Sequence, residues 1–211
     1  MRYKPEQKQA TRALLLSKAA PLVKRQGFAS TGLDTLMKAA GLTTGAFYSQ
    51  FSSKAELLEA ILQRELSAQH DAFPLDSLEQ LAGATRLYLS RGHAQHADMG
   101  CPIPALAAEV GRAGPEVRET FERALEQRQR RLAELMGDEN RAWVLTCLSV
   151  GAVLLARAQA SEVARDKVLD AALEHALGLL SASGAVSPQA DRDWLHNCNV
   201  RRLASGFPSD R

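Results

Sequence analysis

Two stretches of the 211-residue chain gather side chains that could do chemistry. In GHAQHADMGCPIPALAAEVGR, Cys101 stands directly before Pro102, a residue suited to the first position of a helix. A thiol there is predicted at a helix N-terminus, where the dipole lowers its pKa and makes it nucleophilic. The plainer reading, which the stretch favours, is a small buried apolar residue at a helix start. With His93 and His96, Cys101 could form a catalytic cluster or ligate a metal. The spacing matches no standard zinc pattern and no fourth ligand is evident. No nucleophile-elbow or phosphate-loop motif accompanies the cluster. The expectation is no metal, no cofactor and no enzyme.

The second stretch, AAGLTTGAFYSQF over Ala39–Phe51, offers recognition rather than bond making. Phe47, Tyr48 and Phe51 crowd together in a chain with only Phe 6, Tyr 3 and Trp 2. Gly41 lets the chain reverse between two short helices, and Leu33, Leu36, Met37, Leu42 and Phe47 can pack them together. The spacing is that of a helix-turn-helix, whose second helix enters the major groove N-terminus first. Small residues at its leading turn, Thr44, Gly45 and Ala46, allow close approach to base edges. Lys54 adds a cation beside the amides that open the next helix, a place that suits phosphate.

The elements that must position these residues are helical. Leu and Ala abound and strings rich in β-branched residues are almost absent. A first helix is predicted over Glu6–Gln26, closed by Gly27, with Pro21 in conflict with the pattern. Thr31 to Asp34 reads as a capping box for LDTLMKAA, Thr43 as the N-cap of TGAFYSQF, and Ser53 to Glu56 as a second capping box. Further helices are predicted over Asp76–Gln95, Pro102–Val110, Pro115–Met136, Glu139–Ala160 and Glu162–Leu180, with Ser161 as a cap, making about nine in all. The last two carry wide apolar faces. Leu148, Leu155, Leu169, Leu173 and Leu177 are candidates for a homodimer interface, with the monomer's own core as the alternative. Ala142–Ala156 is uncharged but too short for a bilayer, so no membrane partner is expected. The basic N-terminus leads into no secretory signal, and three scattered cysteines suit a reducing cytoplasm.

Charge is divided unevenly. Residues 1–54 hold nine Lys/Arg against Glu6 and Asp34, net +7, while the remainder is net −5. A polyanion partner for the N-terminal unit, or a merely solvated basic face, both fit that asymmetry.

GFASTGLDTLMKAAGLTTGAFYSQFSSKAELL resembles the DNA-binding domain of TetR-type transcriptional repressors. The likeness lies in the Gly-Phe after the first helix, the AAGL turn, the GxFYxxF segment and the SKxEL opening of the fourth helix. It covers residues 6–69; residues 70–182 resemble that family's effector-binding and dimerisation half more loosely, and 183–211 reads as a mostly mobile tail. The resemblance implies an all-α protein with a three-helix DNA-binding domain. It places Thr31, Tyr48 and Lys54 on backbone phosphates, and Thr43, Thr44, Gly45, Ala46, Ser49 and Gln50 at or near base edges. Phe47 and Phe51 would be core. Many relatives carry Lys or Arg where this chain has Thr44, so readout should lean on Gln50, which can pair with adenine, and on hydroxyls and thymine methyls. The GCPIPALAAEVGR text resembles a subgroup whose Gly-Cys pair opens this helix, some members of which sense electrophiles or oxidants. The implied mechanism is a homodimer on a palindromic, double-stranded DNA operator, released when a small-molecule effector shifts the fourth helix.

Overall fold

The computed structural model describes residues 5–72 and 76–181; the expectations for the tail, 183–211, lie outside them. The described residues form ten α-helices and no strand: α1 Pro5–Gln26, α2 Leu33–Ala39, α3 Thr44–Phe47, α4 Lys54–Ala72, α5 Leu78–Tyr88, α6 Arg91–Gln95, α7 Pro102–Val110, α8 Pro115–Met136, α9 Glu139–Arg157 and α10 Glu162–Ser181. Two compact units emerge. Of the described residues, one gathers 5–68 with Cys101–Ala124, the other 69–72 and 76–100 with 125–181.

In the first unit, α1 buries Leu15, Ala19, Ala20 and Val23 and runs through the exposed Pro21 without ending. Gly27 stops it in the left-handed region, at φ +85. The turn between α2 and α3 is a Schellman motif. Gly41, at φ +68, donates its amide to Lys38 O at 3.0 Å, and Leu42 donates to Met37 O at 2.9 Å. Leu42 and Met37 join one apolar cluster, the contact this motif favours. That cluster also holds Leu36, Phe47, Phe51, Leu57, Leu58, Ile61 and Leu62, with Leu106, Val110 and Val117 from α7 and α8. Helices outside the helix-turn-helix therefore share its core.

Two predicted features are corrected here. The Thr31 capping box does not form: Gly32 is the N-cap of α2, no side chain caps it, and the Thr31 hydroxyl donates instead to Gly27 O at 2.6 Å. Ser53 does cap α4, accepting from the Glu56 amide at 3.1 Å, but Glu56 reaches to Ser52 rather than Ser53.

In the second unit the predicted helix over 76–95 is two. Leu89 leaves helical geometry, and the Ser90 hydroxyl accepts the His93 amide, so α6 starts afresh. Serine competes for backbone donors in this way, which is why it interrupts helices. Asp138 and Ser161 accept amides that open α9 and α10. The two helices pack through Leu145, Ala152, Val153 and Ala156 against Leu169, Ala172, Ala176 and Leu180. Among the described residues, no helix is long and apolar enough to cross a membrane.

Neighbouring rings should separate in a stability measurement. Phe47 is fully buried, so Phe47→Ala should cost about 3–5 kcal/mol in urea unfolding. Tyr48 is 70% exposed and touches Phe47 only by an edge contact, so Tyr48→Ala should cost no more than about 1 kcal/mol. Equal costs would show that the two rings share the core.

Candidate nucleic-acid interface

The outward surface of the turn and α3 is made of Thr43, Thr44, Gly45, Tyr48 and Ser49, all exposed. A Cβ at Gly45 would meet nothing within 4 Å, so the backbone there is open to close approach. Thr43 occupies the N-cap by its backbone, but its side chain makes no capping bond. Thr44 donates its hydroxyl to Asp34 Oδ1 at 2.5 Å. Ala46 is half-buried against the core. Phe47 and Phe51 stack at 5.7 Å beneath the surface.

The predicted helix over 44–51 ends at Phe47, after four residues. Residues 48–50 form turns, with Phe51 and Gln50 both donating amides to Phe47 O and the Ser49 hydroxyl donating to Ala46 O at 2.7 Å. This changes the role of Gln50. It is half-buried, its Nε2 donates to Ser49 Oγ at 3.2 Å, and its Oε1 is buried without a partner. Adenine could be paired only after that side chain rotates outward.

Arg12 of α1 holds this segment. Its guanidinium lies 3.9 Å from the Phe51 ring centroid and donates to Gln50 O at 2.5 Å and to Glu56 Oε1 at 3.3 Å. The other oxygen of Glu56 accepts the Ser52 amide at 2.7 Å and the Ser52 hydroxyl at 2.8 Å. The Ser52 amide foremost, then its hydroxyl and Arg12, hold the Glu56 carboxyl below its ordinary range, against the opposing effect of burial.

Two residues expected on phosphates are engaged inside the unit. Thr31 is 2% exposed and its hydroxyl is committed to Gly27 O. Lys54 donates to Phe28 O at 2.9 Å and Thr31 O at 2.8 Å and sits over the Phe28 ring. Its ammonium satisfies carbonyls left by the loop after α1, so its first role is to position that loop. Glu109 of α7 grips the same loop from its amides, accepting Phe28 N at 2.9 Å and Ala29 N at 2.7 Å. Lys24, counted among the basic residues, is buried and paired with Glu65 at 2.7 Å.

Cys101 is the N-cap of α7, as its place before Pro102 predicts, and is only 1% exposed. That burial favours the packing role over an electrophile-accessible thiol. His93 is buried in the second unit, with Nδ1 2.6 Å from Tyr88 O. A Cβ on Gly100 would lie 2.6 Å from the His93 ring, which explains that glycine by packing. His96 is the C-cap of α6. Among the described residues, no group of three or more His, Cys, Asp or Glu side chains is gathered as a metal would require. Of the interface candidates, Leu169 is buried within the second unit's own core, Leu148, Leu173 and Leu177 are half-buried, and Leu155 is 56% exposed.

Sequence reasoning misses Arg12, Asp34 and Glu109 as site residues. Their partners lie 10 to 81 positions away in sequence, and no local pattern marks such pairs. The sequence signal at Asp34 points instead to a helix cap.

Because the Glu56 carboxyl is held low, its stabilising contribution is present above the ordinary carboxylate range and is lost as pH falls through its depressed value. Glu56→Gln should therefore lower stability at neutral pH and flatten the acid limb of a melting-temperature profile. An unchanged acid limb would dismiss the clamp. Lys54→Met should lower the melting temperature while leaving the slope of log affinity against log salt for DNA unchanged; a phosphate-bound lysine would instead reduce that slope by about 1.

Residues 15–61 match the family model described as bacterial regulatory proteins, tetR family. The chain is 38% identical over 71 residues to the HTH-type transcriptional regulator TtgR of Pseudomonas putida, covering 34% of this chain and 33% of that protein. It is 34% identical over 118 residues to the transcriptional regulator AcuR of Cereibacter sphaeroides, covering 52% of this chain and 53% of the other. The chain thus spans a third to about half the length of these curated relatives. The fold is similar to that of reduced NemR from E. coli, at TM-score 0.69 and 24% identity over 80% of this chain and 96% of that one. A TetR transcriptional regulator from Chloroflexus aurantiacus superposes at TM-score 0.70 and 22% identity, covering 83% and 96%. The helix-turn-helix described above thus lies within the segment, residues 15–61, that is similar to the tetR family of bacterial regulatory proteins.

Proposed function

We propose that the protein is a ligand-responsive transcriptional regulator, a homodimeric repressor that binds a palindromic DNA operator and is released by a small-molecule effector. The observation that carries this reading is the Schellman turn at Gly41, which presents α3 with Phe47 buried and Thr43, Thr44, Gly45 and Tyr48 outward. Tyr48 and the exposed hydroxyls are the groups suited to phosphate and base contacts; Thr31 and Lys54 support the surface from within. TtgR and AcuR are both named as transcriptional regulators. Such a function would be carried out in the cytoplasm.

Dimerisation is supported by α9. Val144, Cys147, Leu154 and Leu155 are exposed and Leu148 half-exposed, at the spacing of one helical face. A second copy covering that face, with Leu173 and Leu177 of α10 beside it, would bury it and set two recognition segments about 34 Å apart. An effector site in the second unit is supported by Gln129, which is buried with Nε2 on Thr146 Oγ1 at 2.7 Å and Oε1 facing no protein donor. A ligand hydrogen-bond donor would satisfy that oxygen. Coupling to DNA then equals the effector's differential affinity for the bound and released states.

Gel retardation of the duplex upstream of the protein's own gene, at moderate salt, tests the reading. Micromolar protein should retard it, and Tyr48→Ala should weaken binding across sequences. No retardation by the wild type would overturn the proposal.

A further inference from the structure

We propose that Asp34 and Thr44 form an acceptor-only pair that reads an exocyclic amino group in the major groove, cytosine N4 or adenine N6, and rejects guanine and thymine at that position. The inference rests on the DNA-binding reading and deepens it.

Asp34 is anomalous where it stands. It is exposed on the first turn of α2 and is one of only two acids in a stretch of net +7. A carboxylate beside a phosphate backbone is repelled, so it weakens binding unless it meets a hydrogen-bond donor. Lys38 stands four residues on in the same helix, where an ion pair would ordinarily form. Asp34 takes no such partner, and among the described residues no cation pairs with it. Its Oδ1 instead reaches across the turn to the Thr44 hydroxyl at 2.5 Å.

That bond decides what Thr44 can do. A threonine hydroxyl has one proton to donate, and here the carboxylate takes it, leaving lone pairs on Thr44 Oγ1 and on both Asp34 oxygens. These side chains, rather than any backbone amide, are what a base edge meets. Gly45 beside them adds no bulk. In the major groove, cytosine offers its N4 donor and adenine its N6 donor; guanine shows the N7 and O6 acceptors, and thymine an O4 acceptor with a methyl. Acceptor facing acceptor leaves both without a partner. Gln50, whose amide carries donors, is folded inward and does not offset this preference.

The test is selection of bound sites from a randomised duplex library by the full chain, followed by titration of duplexes carrying each of the four bases at the discriminated position. Wild type should prefer cytosine or adenine there by about ten-fold over guanine, and the titration says which amine is read. Asp34→Asn, which adds a donor at an exposed site, should admit guanine at that position and leave the others unchanged. Thr44→Val should alter the same position, which guards against a misfolded single variant. Guanine or thymine preferred by wild type at the position Asp34→Asn alters would overturn the inference. So would an Asp34→Asn motif identical to that of wild type. A wild type retaining no duplex would remove the DNA-binding reading itself, and this inference with it.

Discussion

A helix of four residues has no stability of its own, because nucleation fixes several residues before intrahelical bonds offset the cost. The orientation of α3 and the turn that follows it must therefore be imposed from outside. Phe47 and Phe51 are driven into the core below, and the Arg12 guanidinium closes the segment from the side by lying on Phe51 and holding the Gln50 carbonyl. Glu56 then ties Arg12 to Ser52 at the start of α4. One cation thus joins three elements, and the surface available for recognition is what this clamp leaves outside.

Commitments of the same kind reshape the electrostatics. A net charge of +7 over residues 1–54 suggests a broad basic face. Yet Lys24 is buried on Glu65, Lys54 binds loop carbonyls and Arg12 is held by Glu56. Cations engaged in this way stabilise the unit but project less field into solvent than their number implies. The exposed surface of the turn and α3 is accordingly one of hydroxyls and a tyrosine rather than a dense row of charges. The carboxylate of Asp34 sharpens this balance by making one spot on the surface an acceptor.

The first unit also extends beyond the helix-turn-helix. Glu109 accepts two amides of the loop after α1, Thr120 donates to Glu59, and Leu106, Val110 and Val117 enter the shared core. Residues 101–124 therefore bear directly on the loop that leads into α2. A displacement of α7 would withdraw a carboxylate from the Phe28 and Ala29 amides and so loosen the loop that leads into α2.

Local rules carry most of the secondary structure. Helical periodicity, the glycines at 27, 41 and 137 and the apolar spacing of Leu57, Leu58, Ile61 and Leu62 depend on near neighbours, and the sequence displays near neighbours directly. The family likeness of residues 6–69 is legible for the same reason. Where local rules compete, they fail: Ser90 restarts a helix inside an apparently continuous pattern, and Thr31 with Asp34 looks like a cap but each finds a separate partner. By itself, then, the sequence determined the all-α class and the helix-turn-helix, because each follows from short-range periodicity and turn chemistry, while the core places of Phe47 and Phe51 were implied by the family resemblance and are met in the fold beneath an exposed Tyr48. Only the tertiary structure decided that Lys54 and Thr31 face inward, that Gln50 is folded down, and that Arg12, Asp34 and Glu109 shape the surface. Those outcomes depend on which donors and acceptors meet across the fold, and chain order does not encode that proximity.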